Sequence, residues 1–175
     1  MYKTVLLFFC FLIYNQIALS QFNKSESAPP SISWHKKKSK NFTVYFPKEL
    51  DSIASYSISF LENNINNIKI NPADKIRRSN IILHNQNSIS NAFVASGPRR
   101  SEFYVNAKPE SPHFLHNNNW IDLLSAHEYR HLVQREIGHR TFFNRIVFYL
   151  FGEGLSSMLI RSSAPNWYWE GDAVY

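Results

Sequence analysis

Two histidines four residues apart, in the run His127-Glu128-Tyr129-Arg130-His131, are the part of this 175-residue chain best suited to chemistry. On an α-helix, residues i and i+4 share one face, one turn apart. Two imidazole nitrogens can then reach a single metal ion at about 2.0–2.1 Å. Glu128 follows about 100° around the helix, where its carboxylate can approach a water on the metal without displacing a ligand. The spacing points to a zinc ion held by His127 and His131, with Glu128 as general base toward an activated water. The plainer alternative is a pair of ordinary core or surface histidines.

A hydrolytic zinc site takes three protein ligands and keeps a fourth position for water. Residue 137, where a third histidine would extend the motif, is Ile137. His139 falls past the expected helix end and reads as a capping or surface residue. Two glutamates compete for the role. Glu153 lies in Phe151-Gly152-Glu153-Gly154, and its alternative is a partner for Arg145 or Arg161. Glu170 lies in Pro165-Asn166-Trp167-Tyr168-Trp169-Glu170-Gly171-Asp172-Ala173 and is preferred. Pro165-Asn166 is a helix-entry signal expected to put Glu170 in a first turn. The small Gly171 and Ala173 would let that helix press on the histidine helix, and the aromatic residues would form a dry wall around the metal.

The elements that must position these groups follow from periodicity. Apolar residues at Leu50, Ile53, Ala54, Ile58, Leu61, Ile65 and Ile68 predict an amphipathic helix over about 51–68, broken by Asn71-Pro72. Phe42 to Phe46 and Ile81 to His84 predict strands. Ala92 to Ala95 and Phe103 to Val105, flanking Ser96-Gly97-Pro98, predict a hairpin or a pair of edge strands. A Pro- and Asn-containing loop then leads to a helix from Trp120 to about Glu136, closed near Gly138. Residues 142–160 are strongly apolar but hold Arg145, Glu153 and two glycines, so a buried helix pair is expected and not a membrane span. Strands with one helix, followed by helices, predict an α+β fold with a small, mainly antiparallel sheet beside the H-E-x-x-H helix.

Residues 1–20 read as a secretory signal peptide, with Lys3, an apolar run from Val5 to Tyr14 and Ala18-Leu19-Ser20 before the cut. Residues 21–40 read as a flexible lead-in, and 41–175 as the metal-site domain. The sole cysteine, Cys10, lies in the leader, so the rest of the chain forms no disulfide. From residue 21 onward 18 basic and 13 acidic residues leave a charge of +5, gathered in short runs that read as solvated surface. No nucleic-acid signature accompanies those runs.

With these residues in hand, the chain resembles a gluzincin-type metallopeptidase of the peptidase-MA-like branch. The stretch His127 to Gln134 is similar to that branch's H-E-x-x-H-x-x-Q helix, and Trp167-x-x-Glu170-Gly171-x-Ala173 to its W-x-x-E-G-x-A pattern. The resemblance implies a zincin-like domain in which His127, His131 and Glu170 hold Zn2+. It also implies a C-terminal helical subdomain and often a TolB-like β-propeller, so the chain is expected to be the N-terminal part of a longer exported bacterial protein. The expected activity is zinc-dependent hydrolysis of a peptide or protein substrate, in the periplasm, on the cell surface or secreted. Envelope partners would be reached through the C-terminal region. An edge strand near Phe103-Tyr104-Val105 would hold an extended peptide. The alternatives are a non-catalytic zinc-binding envelope scaffold and an apolar-rich envelope domain without metal.

Overall fold

The computed structural model describes residues 28–71, 74–86, 90–96, 98–105 and 119–174. The expected leader, the first part of the expected lead-in and most of the loop before Trp120 lie outside them. In chain order the elements are β1 (Trp34–Lys38), β2 (Phe42–Pro47), a 3-10 turn (Lys48–Leu50), α1 (Asp51–Ile68), β3 (Ser79–His84), β4 (Ser90–Ser96), β5 (Arg99–Val105), α2 (Trp120–Gly138), α3 (Phe142–Ser162) and α4 (Asn166–Ala173). The architecture is α+β, with a five-stranded sheet in the order β1-β2-β3-β5-β4.

The expectation of a mainly antiparallel sheet is corrected. β1/β2 and β4/β5 are antiparallel, whereas β2/β3 and β3/β5 are parallel. Parallel neighbours need a crossover, and α1 supplies it between β2 and β3. β4 goes to the sheet edge and the chain turns back, so that β5 fills the place between β3 and β4. Among the described residues β4 is therefore the terminal strand on that side, and β5, expected at an edge, is internal. At the opposite edge, β1 occupies residues expected to be flexible lead-in. Its sequence Trp-His-Lys-Lys-Lys has little strand signature of its own. Pairing with β2 makes it a strand, aided by Lys37 Nζ, which donates to Asp51 Oδ2 at 2.7 Å.

Alternate residues of β2 and β3 (Phe42, Val44 and Phe46; Ile81 and Leu83) point to one sheet face, with Phe103 and Ala92 beside them. Onto this face α1 lays Ala54, Leu61 and Ile68, and α2 lays Ala126, Tyr129, Leu132 and Val133. The Tyr129 ring meets Phe42 edge-on at 5.1 Å. α2 is thus bonded to the core along one face, which fixes the direction of the other.

α3 is two helical segments joined at Gly152, whose φ of 83° is accessible to glycine at little cost. Its expected burial is corrected as well. Phe142, Phe143, Tyr149 and Leu150 are between 66% and 80% exposed, while Val147 and Ile160 are buried. The apolar content of 142–160 therefore exceeds what the described residues cover. No helix among the described residues is long and apolar enough to cross a membrane. Gly138 permits α3 to cross the end of α2: a Cβ there would stand 2.6 Å from Ile160 Cγ2.

Candidate metal centre

α2 begins at Asn119, whose side chain accepts from the Ile121 amide at 3.2 Å, with Asp122 in the first turn where the helix dipole favours an acid. Two turns on, His127 and His131 bring their rings edge to face, 4.6 Å between centroids, with their Nε2 atoms 3.1 Å apart. α4 comes over them. Its start is pinned to the end of α3 by Trp169 Nε1, which donates to the carbonyls of Arg161 at 3.0 Å and Ala164 at 3.1 Å. Glu170 then lies with Oε2 3.4 Å from His127 Nε2 and 3.3 Å from His131 Nε2.

These three edges, 3.1, 3.4 and 3.3 Å, can be compared with what an ion requires. Ligand atoms at about 2.0–2.1 Å from a tetrahedral zinc stand about 3.3–3.4 Å from one another. Two neutral imidazoles and one carboxylate at that separation form a donor set that fits zinc and leaves a fourth position open. His127, His131 and Glu170 are the group of three among the described residues that could hold a metal ion.

Hydrogen bonds behind the donors set their orientation. A carbonyl only accepts, so His127 Nδ1, 3.1 Å from the carbonyl oxygen of Ala173, carries the proton and leaves Nε2 free to ligate. His131 Nδ1 lies 2.9 Å from Gln134 Oε1. The Gln134 amide is turned this way because its Nε2 donates to Trp169 O at 3.0 Å and Asp172 Oδ2 at 2.8 Å. Asp172 is gripped in turn by Arg130, Nε at 2.9 Å and Nη2 at 2.8 Å, and Arg130 Nη1 donates at 2.7 Å to Ile68 O, an end carbonyl of α1. The Arg130 and Gln134 hydrogen bonds hold the Asp172 carboxyl below its ordinary range. Burial and the neighbouring His131 hold His127 below the usual imidazole value, which favours the neutral form that a ligand needs.

Glu128 is buried in the same wall, and its Oε2 has no hydrogen-bond partner among the described residues. Burial, reinforced by the Glu170 charge and opposed by Arg135, pushes its carboxyl up to about 7. A carboxyl poised near neutrality beside a donor triangle is the state in which a general base works. The cleft in front of it, about 270 Å³, is walled by edge strand β4 through Asn91 to Val94 and by Trp169 of α4. Arg135 and Arg161 line it too.

The structure brings Glu170 to the histidines and leaves Glu153 elsewhere. Glu153 accepts from Arg77 Nη2 at 3.2 Å, an arginine partner as in its alternative reading but not Arg145 or Arg161. His139 sits at the end of α2 with Nδ1 2.8 Å from Ser156 Oγ, tying α2 to α3. Glu170 is the fifth residue of α4, so it lies in the second turn and not the first. A Cβ at Gly171 would meet nothing within 4 Å, so its smallness is not what admits α4; Ala173, 1% exposed, is the residue that packs. The aromatic wall is narrower than expected, because Trp167 and Tyr168 are 74% and 51% exposed and Trp169 alone of the three lines the cleft. Sequence reasoning gives no role to Gln134 or Arg130. Their signal is spacing: Gln134 is i+3 from His131, and Arg130 is four residues from both Ala126 and Gln134, along the flank of α2 that meets α4.

No family model, curated protein or solved structure matches this chain.

Proposed function

We propose that this chain is a zinc-dependent peptidase domain of the gluzincin type, from an exported protein, with His127, His131 and Glu170 as the metal ligands and Glu128 as the general base. The observation that carries the proposal is the donor triangle, sized for a tetrahedral ion, with a buried carboxyl beside it. Zinc, when bound, would supply Lewis acidity toward the scissile carbonyl and bring the ionisation of water near neutrality.

The chain's own residues would do the rest. An extended peptide would pair with the outer edge of β4, the terminal strand among the described residues, along Asn91 to Val94 where it walls the cleft. Glu128 would take a proton from water as the water oxygen bonds to the carbonyl carbon, and would give it to the amine nitrogen as the C–N bond breaks. Ala173 and Gln134, by accepting from the Nδ1 protons, would keep both Nε2 lone pairs aimed at the ion throughout the cycle.

Purified protein loaded with zinc should degrade an unfolded protein, and a chelator should stop it. Glu128→Gln should keep the zinc and lose about 10²–10⁴-fold in rate. Hydrolysis at the wild-type rate in that variant would remove the base assignment. Zinc bound at one equivalent with no hydrolysis of any substrate would leave the non-catalytic zinc-binding scaffold in place of the enzyme.

A further inference from the structure

The cleft contains two cations that the proposed hydrolysis does not use. His127, His131 and Arg135 stand four residues apart in succession on α2, so Arg135 continues the row of metal-facing side chains about 6 Å further along the axis. Arg161 reaches the same cleft from the last turn of α3. Its place is set from two sides. Ile160 packs against Gly138 at the end of α2, and Arg161 Nη2 donates to Asn166 Oδ1 of α4 at 3.3 Å while its carbonyl accepts from Trp169.

We propose that Arg135 and Arg161 form a carboxylate-binding subsite beside the metal centre, so that the cleft selects acidic peptides. This deepens the hydrolase reading and rests on it for the word substrate. Two guanidinium groups lining one partly enclosed cleft repel each other, and an anion between them relieves the repulsion while accepting charge-assisted hydrogen bonds. Consistent with that crowding, the Arg135 guanidinium is pushed down to about 10, by burial first and by the Arg161 charge next, with Glu128 and Glu153 opposing. The spacing also defines where the carboxylate sits. About 6 Å along α2 corresponds to roughly two residues of extended peptide, at about 3.3 Å each. The carboxylate is therefore carried about two residues from the scissile bond. Either an acidic side chain or the free C-terminus of a short peptide would supply it.

The test uses the zinc-loaded full chain and matched peptides, with Glu or Gln at each of the two positions on either side of the cleaved bond, and with a free or an amidated C-terminus. Wild type should favour the carboxylate member of one pair by about tenfold or more in kcat/KM. A preference for Glu over Gln identifies a side-chain subsite, and a preference for the free acid over the amide identifies C-terminal capture. Arg161, which is exposed, gives the decisive variants: Arg161→Gln should collapse the ratio toward one, and Arg161→Glu should reverse it in favour of the uncharged member of the pair. Equal kcat/KM across all pairs in wild type would overturn the subsite. If no peptide is cleaved, the hydrolase reading fails, and the subsite is then judged by fluorescence anisotropy with the same labelled peptides. Acid forms binding about tenfold tighter than their amides, with the difference lost in Arg161→Gln, would support it; equal affinities would overturn it.

Discussion

Replacing Gln134 by Met tests whether the hydrogen bonds behind the histidines tune the proposed metal centre or merely fasten α4. Met has nearly the same length, is apolar, and fits a side chain that is 6% exposed. The change deletes three contacts: from His131 Nδ1 at 2.9 Å, to Trp169 O at 3.0 Å and to Asp172 Oδ2 at 2.8 Å. Asp172 keeps its two hydrogen bonds from Arg130, so it is not orphaned. His131 Nδ1 and Trp169 O lose this partner, and each group left unsatisfied costs about 1–3 kcal/mol. In a domain of this size a loss of that order lowers Tm by about 2–4 °C per kcal/mol.

The metal-specific part is separate from this stability cost. Without Gln134 Oε1 the His131 ring is free to rotate and to take the tautomer with its proton on Nε2, which cannot ligate. Removing such a partner weakens metal affinity by about 10–100-fold, equivalent to about 1.4–2.7 kcal/mol. Competition against a chromogenic zinc chelator at fixed pH measures the affinity, and thermal unfolding with and without zinc measures the stability. Zinc affinity within twofold of wild type, with Tm lowered as expected, would refute the reasoning and reduce Gln134 to a bolt between α2 and α4.

Other outcomes follow from the same geometry. Glu170→Gln should weaken zinc binding in the competition assay, whereas Glu153→Gln, which breaks the pair with Arg77 and removes a charge away from the donor triangle, should leave it unchanged. In the chelator-treated protein, the Glu128 carboxyl is raised from 4.5 to about 7, so its contribution to stability is fully present below pH 4.5 and is lost as pH rises through about 7. Glu128→Gln should remove that slope and be more stable than wild type above pH 7, by on the order of 3 kcal/mol, in urea unfolding at several pH values. Gly138→Ala should cost about 1–3 kcal/mol by driving a Cβ into buried Ile160, and adding Ile160→Ala should recover part of the loss; additive effects would show the two positions to be uncoupled.

Local pattern and long-range pairing differ in how far they can be read from the residues. The apolar spacing from Leu50 to Ile68 predicts α1 at the bounds it has, and the paired histidines mark a candidate metal site from their spacing alone, because both signals repeat within one helix. Sheet order is another matter. Whether β5 lies at an edge or between β3 and β4 depends on where the chain turns back, and nothing in Phe103-Tyr104-Val105 encodes it. β1 escapes the sequence pattern for the same reason, since its strand conformation is imposed by β2. The structure sets Glu170, and not Glu153, beside the two histidines, but the first-turn position, the role of Gly171 and the full aromatic wall expected around it are not there. What admits α4 is the Arg130-Asp172-Gln134 network: spacing puts Arg130 and Gln134 on one flank of α2, but nothing local names Asp172, 42 and 38 positions away, as their partner.

That network also explains how one short helix can complete a donor triangle suited to a metal ion. α4 has eight residues, too few to be stable alone, and no side chain caps its first turn. It is held at Trp169 by α3 and at Asp172 and Ala173 by α2, and Glu170 lies between those anchors. Binding an ion across His127, His131 and Glu170 would add a further tie between α2 and α4, so metal affinity and the docking of α4 are linked by the same free energy. Each should therefore report on the other. Zinc should slow amide exchange in α4 more than in α1, which shares no ligand with it. Uniform protection across both helices, or none in α4, would separate the donor triangle from the helix that completes it.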